Sequence, residues 1–172
     1  NNGRSSDIYT YSLDTEELNN LTQDWFTDDQ ISWHPDGNTI YFISDRNDIL
    51  ETKVEKKPQD HNIDQTDIYS LNITSGIITR ITDSDYNELY PSVSKDGNML
   101  AFISDESGIN NIYIQNLEKL ETHPVTNIIT GITQLSWNAD NSQLIFTGFL
   151  NRGYDIYVLD NPIQTISDSL HI

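Results

Sequence analysis

Cysteine is absent, which excludes disulfides, thiolate-bound metal and a cysteine nucleophile. No run of about 18 apolar residues occurs, so no segment reads as a helix that spans a bilayer. Basic residues are scarce: 9 stand against 27 acidic ones, for a formal charge of −18. Such a surface repels nucleic-acid backbones and anionic lipid, and suits basic partners, cations or plain solubility. There is no glycine-rich phosphate loop and no G-x-S-x-G nucleophile elbow. His34, His61, His123 and His171 fall in different parts of the chain, and none pairs at metal-ligand spacing. Long helical periodicity is also missing. The first residues do not form a signal peptide and the chain opens on Asn, so a processed product or a fragment is expected.

What is present favours strands. Ile, Tyr, Thr and Phe recur in short runs, and 172 residues with 35% hydrophobic content suffice for one sizeable core. A repeat is visible. DQISWHPDGNTIYFISD at 29–45 returns as ELYPSVSKDGNMLAFISD at 88–105 and as ITQLSWNADNSQLIFTG at 132–148. Asp36, Asp96 and Asp140 hold the same place, at spacings of 60 and 44. A second marker, the Asp or Asn before Ile-Tyr, occurs at Asp7, Asp67, Asn111 and Asp155 with spacings of 60, 44 and 44. Two markers with the same spacings define one structural unit.

Each full unit reads as four short strands, a to d. In the central one these are 89–94, 99–104, 111–117 and about 124–129. A period of 44 with four strands fits a propeller blade, and one blade alone would expose both faces. The expected fold is therefore all-β, with blades of four antiparallel strands in an incomplete ring of about three to four blades. A single segment, 1–172, divides into a partial blade 7–22, a blade 29–82, a blade 89–129 and a partial blade 132–160. The longer first spacing marks an insertion at 46–66, which holds Lys53, Lys56, Lys57 and Pro58. Its first part is expected to form a two-strand excursion or a short helix.

The runs SWHPDGNTIYFISD and PSVSKDGNMLAFISD, each followed by Ile-Tyr, resemble the WD40-like (PD40) β-propeller repeat of TolB and its relatives. Propellers of prolyl-oligopeptidase-like enzymes carry the same repeat. The likeness covers roughly 7–160 and decays in the last copy, where Ala139-Asp140-Asn141 replaces Pro-Asp-Gly and Thr147-Gly148 replaces Ser-Asp. It implies a noncatalytic interaction or scaffold module of the bacterial envelope or secreted space. The alternatives are an accessory propeller of a peptidase and a small metal-dependent lyase or lactonase. A periplasmic or extracellular location is expected. So is association through open propeller edges or with a second copy.

The repeated residues read first as structure. Asp36, Asp96 and Asp140 are turn formers, and Asp45 and Asp105 are placed to accept backbone N–H groups at the end of strand b. Asp7, Asp67 and Asp155 are expected to tie one blade to its neighbour. Tyr9, Tyr69, Tyr113 and Tyr157, with Trp33 and Trp137, are expected to pack in the core or between blades. Repeated serines (Ser32, Ser92, Ser94, Ser136) read as packing and hydrogen-bonding residues. Calcium is the one metal such oxygens suit, but no D-x-D-x-D-G loop occurs, so no cofactor is expected. The d–a loops and the inserted b–c loop share one end of a propeller. That end gathers Trp25, Phe26, Asp28, Asp29, Asp83, Asp85, Tyr86 and Glu88, the candidate face for a protein or basic peptide.

Overall fold

The computed structural model describes residues 5–56, 58 and 61–169. Lys57 and His171 lie outside the described residues. A two-stranded sheet comes first, β1 (Tyr9–Tyr11) with β2 (Leu18–Asn20). The second sheet has four strands in chain order: β3 (Asp29–Trp33), β4 (Thr39–Ser44), β5 (Asp67–Asn72) and β6 (Ile78–Arg80). The third repeats it with β7 (Glu88–Val93), β8 (Met99–Ser104), β9 (Asn111–Asn116) and β10 (Thr122–Pro124). The last sheet holds β11 (Ile132–Trp137), β12 (Gln143–Leu150) and β13 (Gly153–Asp160), followed by helix α1 (Pro162–Ser169). All pairings within the sheets are antiparallel. This is an open, incomplete propeller.

Side-chain alternation builds the stack. On β4 and β5, Ile40, Phe42, Tyr69 and Leu71 turn toward the first sheet and bury Ile8 with them. Tyr41, Ile43 and Ile68 turn the other way, onto Leu100, Phe102 and Tyr113 of the third sheet. Ala101, Ile103, Ile112 and Ile114 then meet Leu144 and Phe146 of the last sheet. Each blade thus contributes both faces to the core, as blades without an exposed face require. The tyrosine stripe packs as expected at three positions, opposite Phe42, Phe102 and Phe146 at ring separations of 5.9, 6.0 and 5.6 Å. Tyr9 differs and is 48% exposed.

Strand a is bulged in every copy. The register shifts fall at Asp29/Ser32, Leu89/Ser92 and Ile132/Leu135, and Gln30, Tyr90 and Gln134 there have positive φ. Serines join neighbouring strands a: Ser32 Oγ accepts from Val93 N at 3.1 Å, and Ser92 Oγ accepts from Trp137 N at 3.3 Å. Trp137 also donates its indole N–H to Ser92 O at 3.0 Å. Trp33 is exposed instead, because the two-stranded first sheet offers no inner strand for it to cover.

The turn aspartates behave as read. Asp36 Oδ1 accepts from Asn38 N and Thr39 N, both at 2.8 Å, and the Asn38 contact leads in holding its carboxyl well below the usual range. Hydroxyls of Ser94 and Ser142, both at 2.6 Å, lower Asp96 and Asp140 in the same way. A threonine near strand d supplies a second recurring bond. Thr22, Thr82 and Thr126 accept from Ile8 N, Ile68 N and Ile112 N at 2.9, 2.8 and 2.8 Å.

Four expectations are corrected. Strand d of the third sheet is shorter and earlier than 124–129, because Val125 and Thr126 already bond outside the ladder, to and from Ile112. The insertion forms neither a hairpin nor a helix among the described residues. Instead Gln23 and Lys53 make an isolated parallel bridge, which binds the loop to the segment before β3. In the decayed copy Gly148-Phe149, rather than Thr147-Gly148, stands in the place of Ser-Asp: register sets Gly148 opposite Asp155 as Ser44 faces Asp67, in keeping with the 44-residue spacing. Asp7 ties strand c to strand d of its own sheet, through Asn20 at 2.9 Å, rather than tying blade to blade, whereas Asp67 does both: it meets Arg80 of its own sheet at 2.7 Å and faces Glu88 of the next.

Candidate functional site

The inserted loop and two d–a loops meet at one end of the sheets. Gln23 N donates to Thr52 O at 2.8 Å, and Val54 N donates to Gln23 O at 3.2 Å. At the far end of the insertion, Gln65 Nε2 donates to Ser84 O at 3.2 Å and Tyr86 O at 2.6 Å. Asp45 and Asp105 fix the d–a loops from below, accepting from Thr27 N at 2.8 Å and Asn87 N at 2.9 Å. The a–b turns lie at the opposite end, where His34 Nε2 meets Gly97 O at 3.2 Å and Lys95 N donates to Asn141 at 2.7 Å. Gly97 is required at that contact, since a Cβ there would sit 2.5 Å from His34 Nε2.

The candidate face separates into a surface and a floor. Asp29, Asp83 and Asp85 are exposed, Tyr86 is 42% exposed and Trp25 is half-buried. Asp83 meets Arg80 at 2.8 Å, an exposed pair of little energetic weight. Phe26, Asp28 and Glu88 are buried, so the structure places them beneath the surface rather than on it. They are turned inward because they stand at the blade junction, where Ile132 occupies the third copy of the Asp28 and Glu88 position.

Arg46 organises the floor and is fully buried. Its Nη2 donates to both oxygens of Asp28 at 2.7 and 2.8 Å and to Asp24 at 3.0 Å. Nε donates to Ser44 Oγ at 3.0 Å. The guanidinium carbon lies 5.3, 5.4 and 5.7 Å from the rings of Phe26, Phe42 and Tyr69. His61 adds an edge-on contact to Phe26 at 5.3 Å, with its Nε2 2.9 Å from Asp45 Oδ2. Burial pushes Asp24 up to about 6, helped by the Asp28 charge and opposed by Arg46.

The next junction is built differently. Glu88 Oε1 accepts from Ser84 Oγ at 2.6 Å, and Glu88 forms no ion pair among the described residues. Burial pushes Glu88 up to about 7, against hydrogen bonds from Ser84 and Thr82, and Asp67 adds to the rise. Asp67 is itself raised by burial, opposed by Arg80. Among the described residues no group of three or more His, Asp or Glu is placed to hold a metal. Nor is any described helix long and apolar enough to cross a membrane.

Sequence reasoning did not identify Arg46, which sat at the edge of a polar insertion. One signal was available: the repeat equivalence of Asp28 and Glu88 with Ile132, an apolar residue that marks an interior position.

The chain matches no family model. It is similar to dipeptidyl-peptidase 5 of Porphyromonas gingivalis, with 27% identity over 131 residues, which cover 74% of this chain and 18% of that protein. Among solved structures it is similar to TolB from Acinetobacter baumannii, with a TM-score of 0.69 and 18% identity over 90% of this chain and 35% of that one. A Pyrococcus horikoshii acylaminoacyl peptidase matches with a TM-score of 0.58 and 17% identity, over 81% of this chain and 25% of that one. The structural likenesses establish the class: β-propeller blades of the kind found in TolB and in peptidase-associated propellers. The chain spans less than two fifths of each of these three proteins.

Proposed function

We propose that these blades form a noncatalytic protein-interaction module whose loop face binds a basic partner, in a periplasmic or extracellular setting. The observation that carries this reading is the contrast between surface and floor. Exposed Asp29 follows Trp25 on a segment held by buried Arg46, and exposed Asp83 and Asp85 precede Tyr86 on a loop held by Gln65 and Asp105. Carboxylates with rigid aromatics recognise cationic segments well, and a fixed base lowers the ordering cost of binding. A second reading, an accessory propeller of a peptidase, is favoured by the likeness to dipeptidyl-peptidase 5. It predicts a hydrolase domain in the flanking coding sequence.

The test uses a fluorescent lysine peptide of about eight residues as the probe. Affinity is expected to fall roughly tenfold when salt rises from about 20 to 200 mM. Trp25→Ala with Tyr86→Ala is expected to weaken it by a further factor of about ten. Glu118→Gln with Glu121→Gln, at the opposite end, is the control. An equal loss from that control would refute the assignment of the face.

A further inference from the structure

Among the described residues, one carboxylate of the repeat lacks the cation that its equivalent holds. Asp67 and Asp7 share a position, as do Arg80 and Asn20, and register confirms it: Tyr69 pairs with Arg80 as Tyr9 pairs with Asn20. In the second sheet the Arg80 guanidinium fills the corner, 2.7 Å from Asp67 and 2.8 Å from Asp83. In the first sheet those three places hold Asp7, Asn20 and Gln23. Asn20 reaches Asp7 Oδ2 with a neutral amide at 2.9 Å, and Asp7 Oδ1 is buried without a hydrogen-bond partner. No ion pair of Asp7 forms among the described residues.

The space that a long side chain would occupy is open. Asp7, Tyr9, Asn20, Gln23, Asp24 and Trp25 line a cavity of about 390 Å³. Lys53 and Glu55 complete its charged wall; with Asp24 already paired to Arg46, two carboxylates stand against one ammonium. The size falls in the range of ligand pockets, roughly 300–1,000 Å³. Its chemistry is that of a guanidinium receptor. A carboxylate and an amide oxygen offer planar acceptors, and the rings of Tyr9 and Trp25 offer faces for stacking.

We propose that this cavity is an arginine site: it takes the guanidinium of a basic partner in the place that Arg80 fills one blade later. The site deepens the reading of the loop face as a surface for basic partners and rests on it. It also assigns a preference, since an ammonium cannot make the paired planar contacts of a guanidinium.

The probe is the tripeptide Ac-Gly-Arg-Gly-NH2, followed by two-dimensional NMR of the Trp25 indole and Asn20 side-chain amide. All samples carry Arg4→Gln, so that an arginine of the chain itself does not compete. The arginine peptide is expected to shift both signals, and its citrulline counterpart to shift neither. Asp7→Asn is expected to weaken binding about tenfold, because it removes a charge-assisted contact. Asn20→Arg recreates the Asp67–Arg80 pair inside the chain; it is expected to abolish the shifts and raise the melting temperature by about 2 °C. Asn20→Arg is also expected to leave binding of the lysine probe within about twofold. Equal shifts from citrulline, or full binding by the Asn20→Arg chain, would overturn the proposal. If the lysine probe still binds the loop face while the arginine tripeptide does not, the cavity assignment falls and the face stands.

Discussion

Replacing Arg46 by alanine is expected to destabilise the protein by about 3–5 kcal/mol, the largest loss of any single substitution at the loop face. The side chain is fully buried, as are those of Asp24 and Asp28 that it neutralises. Removing it strands two carboxylates without a counter-charge and opens a hole among Phe26, Phe42 and Tyr69. For a chain of this size the loss corresponds to a fall of roughly 10 °C in melting temperature. The pH dependence identifies the cause. Without Arg46, Asp24 loses the charge that opposes its rise and takes up a proton more readily in the folded state, so the deficit shrinks as pH falls toward 5. A deficit of equal size at pH 5 and pH 8 would show that lost packing, not stranded charge, is responsible. A triple variant with Arg46→Met, Asp24→Asn and Asp28→Asn is expected to recover most of the loss, because it removes the charges together with the arginine.

Stability is expected to fall as pH rises through the range from 4.5 to about 7, and Glu88 is the main cause. The three blade junctions treat one position in three ways. Asp28 is neutralised by Arg46, Ile132 needs no partner, and Glu88 is met by an acidic neighbour. The residue equivalent to Arg46 in that blade is Glu106, which is exposed. A proton therefore does what a guanidinium does one blade earlier. One oxygen each of Glu88 and Asp67 is buried without a partner, and a proton held between the two carboxyls serves both.

The sign follows from linkage. Unfolded Glu88 titrates near 4.5 and folded Glu88 near 7, so the folded state binds more protons between those values. The stabilisation is complete below 4.5 and is lost as pH passes through about 7. Its size is about 3 kcal/mol by pH 8. Asp24, raised to about 6, adds a loss of the same sign over a lower range. Glu88→Gln keeps a donor for Asp67 and has no charge to gain. Urea unfolding at pH 5, 6, 7 and 8 is expected to give midpoints that decline for the parent chain and change much less for this variant above pH 6. Parallel declines would remove Glu88 as the cause.

Most of the fold was legible because the repeat carries its own register. Asp36, Asp96 and Asp140 mark every a–b turn, and the Asp or Asn before Ile-Tyr marks every strand c. Those residues make local bonds, and local bonds leave regular spacings. The face was only half legible. Asp29, Asp83, Asp85 and Tyr86 lie exposed and Trp25 half-buried, whereas Phe26, Asp28 and Glu88 are buried beneath them. The burial of Phe26 and Asp28 depends on Arg46, 18 residues beyond Asp28 at the opening of an irregular loop, and that of Glu88 on Ser84 and Asp67; no periodicity announces those contacts. The cavity beside Asp7 was hidden for a related reason. It is defined by a side chain that is short, Asn20, where the next blade has a long one, Arg80.

Backbone hydrogen exchange with the lysine probe bound tests the central claim most directly, because it reads location without assuming any residue. Protection is predicted in 23–29, in the described part of 46–66 and in 83–88, with the a–b turns at 34–38, 94–98 and 138–142 unchanged. Protection confined to those turns, or to the outer strands β6 and β10, would contradict it.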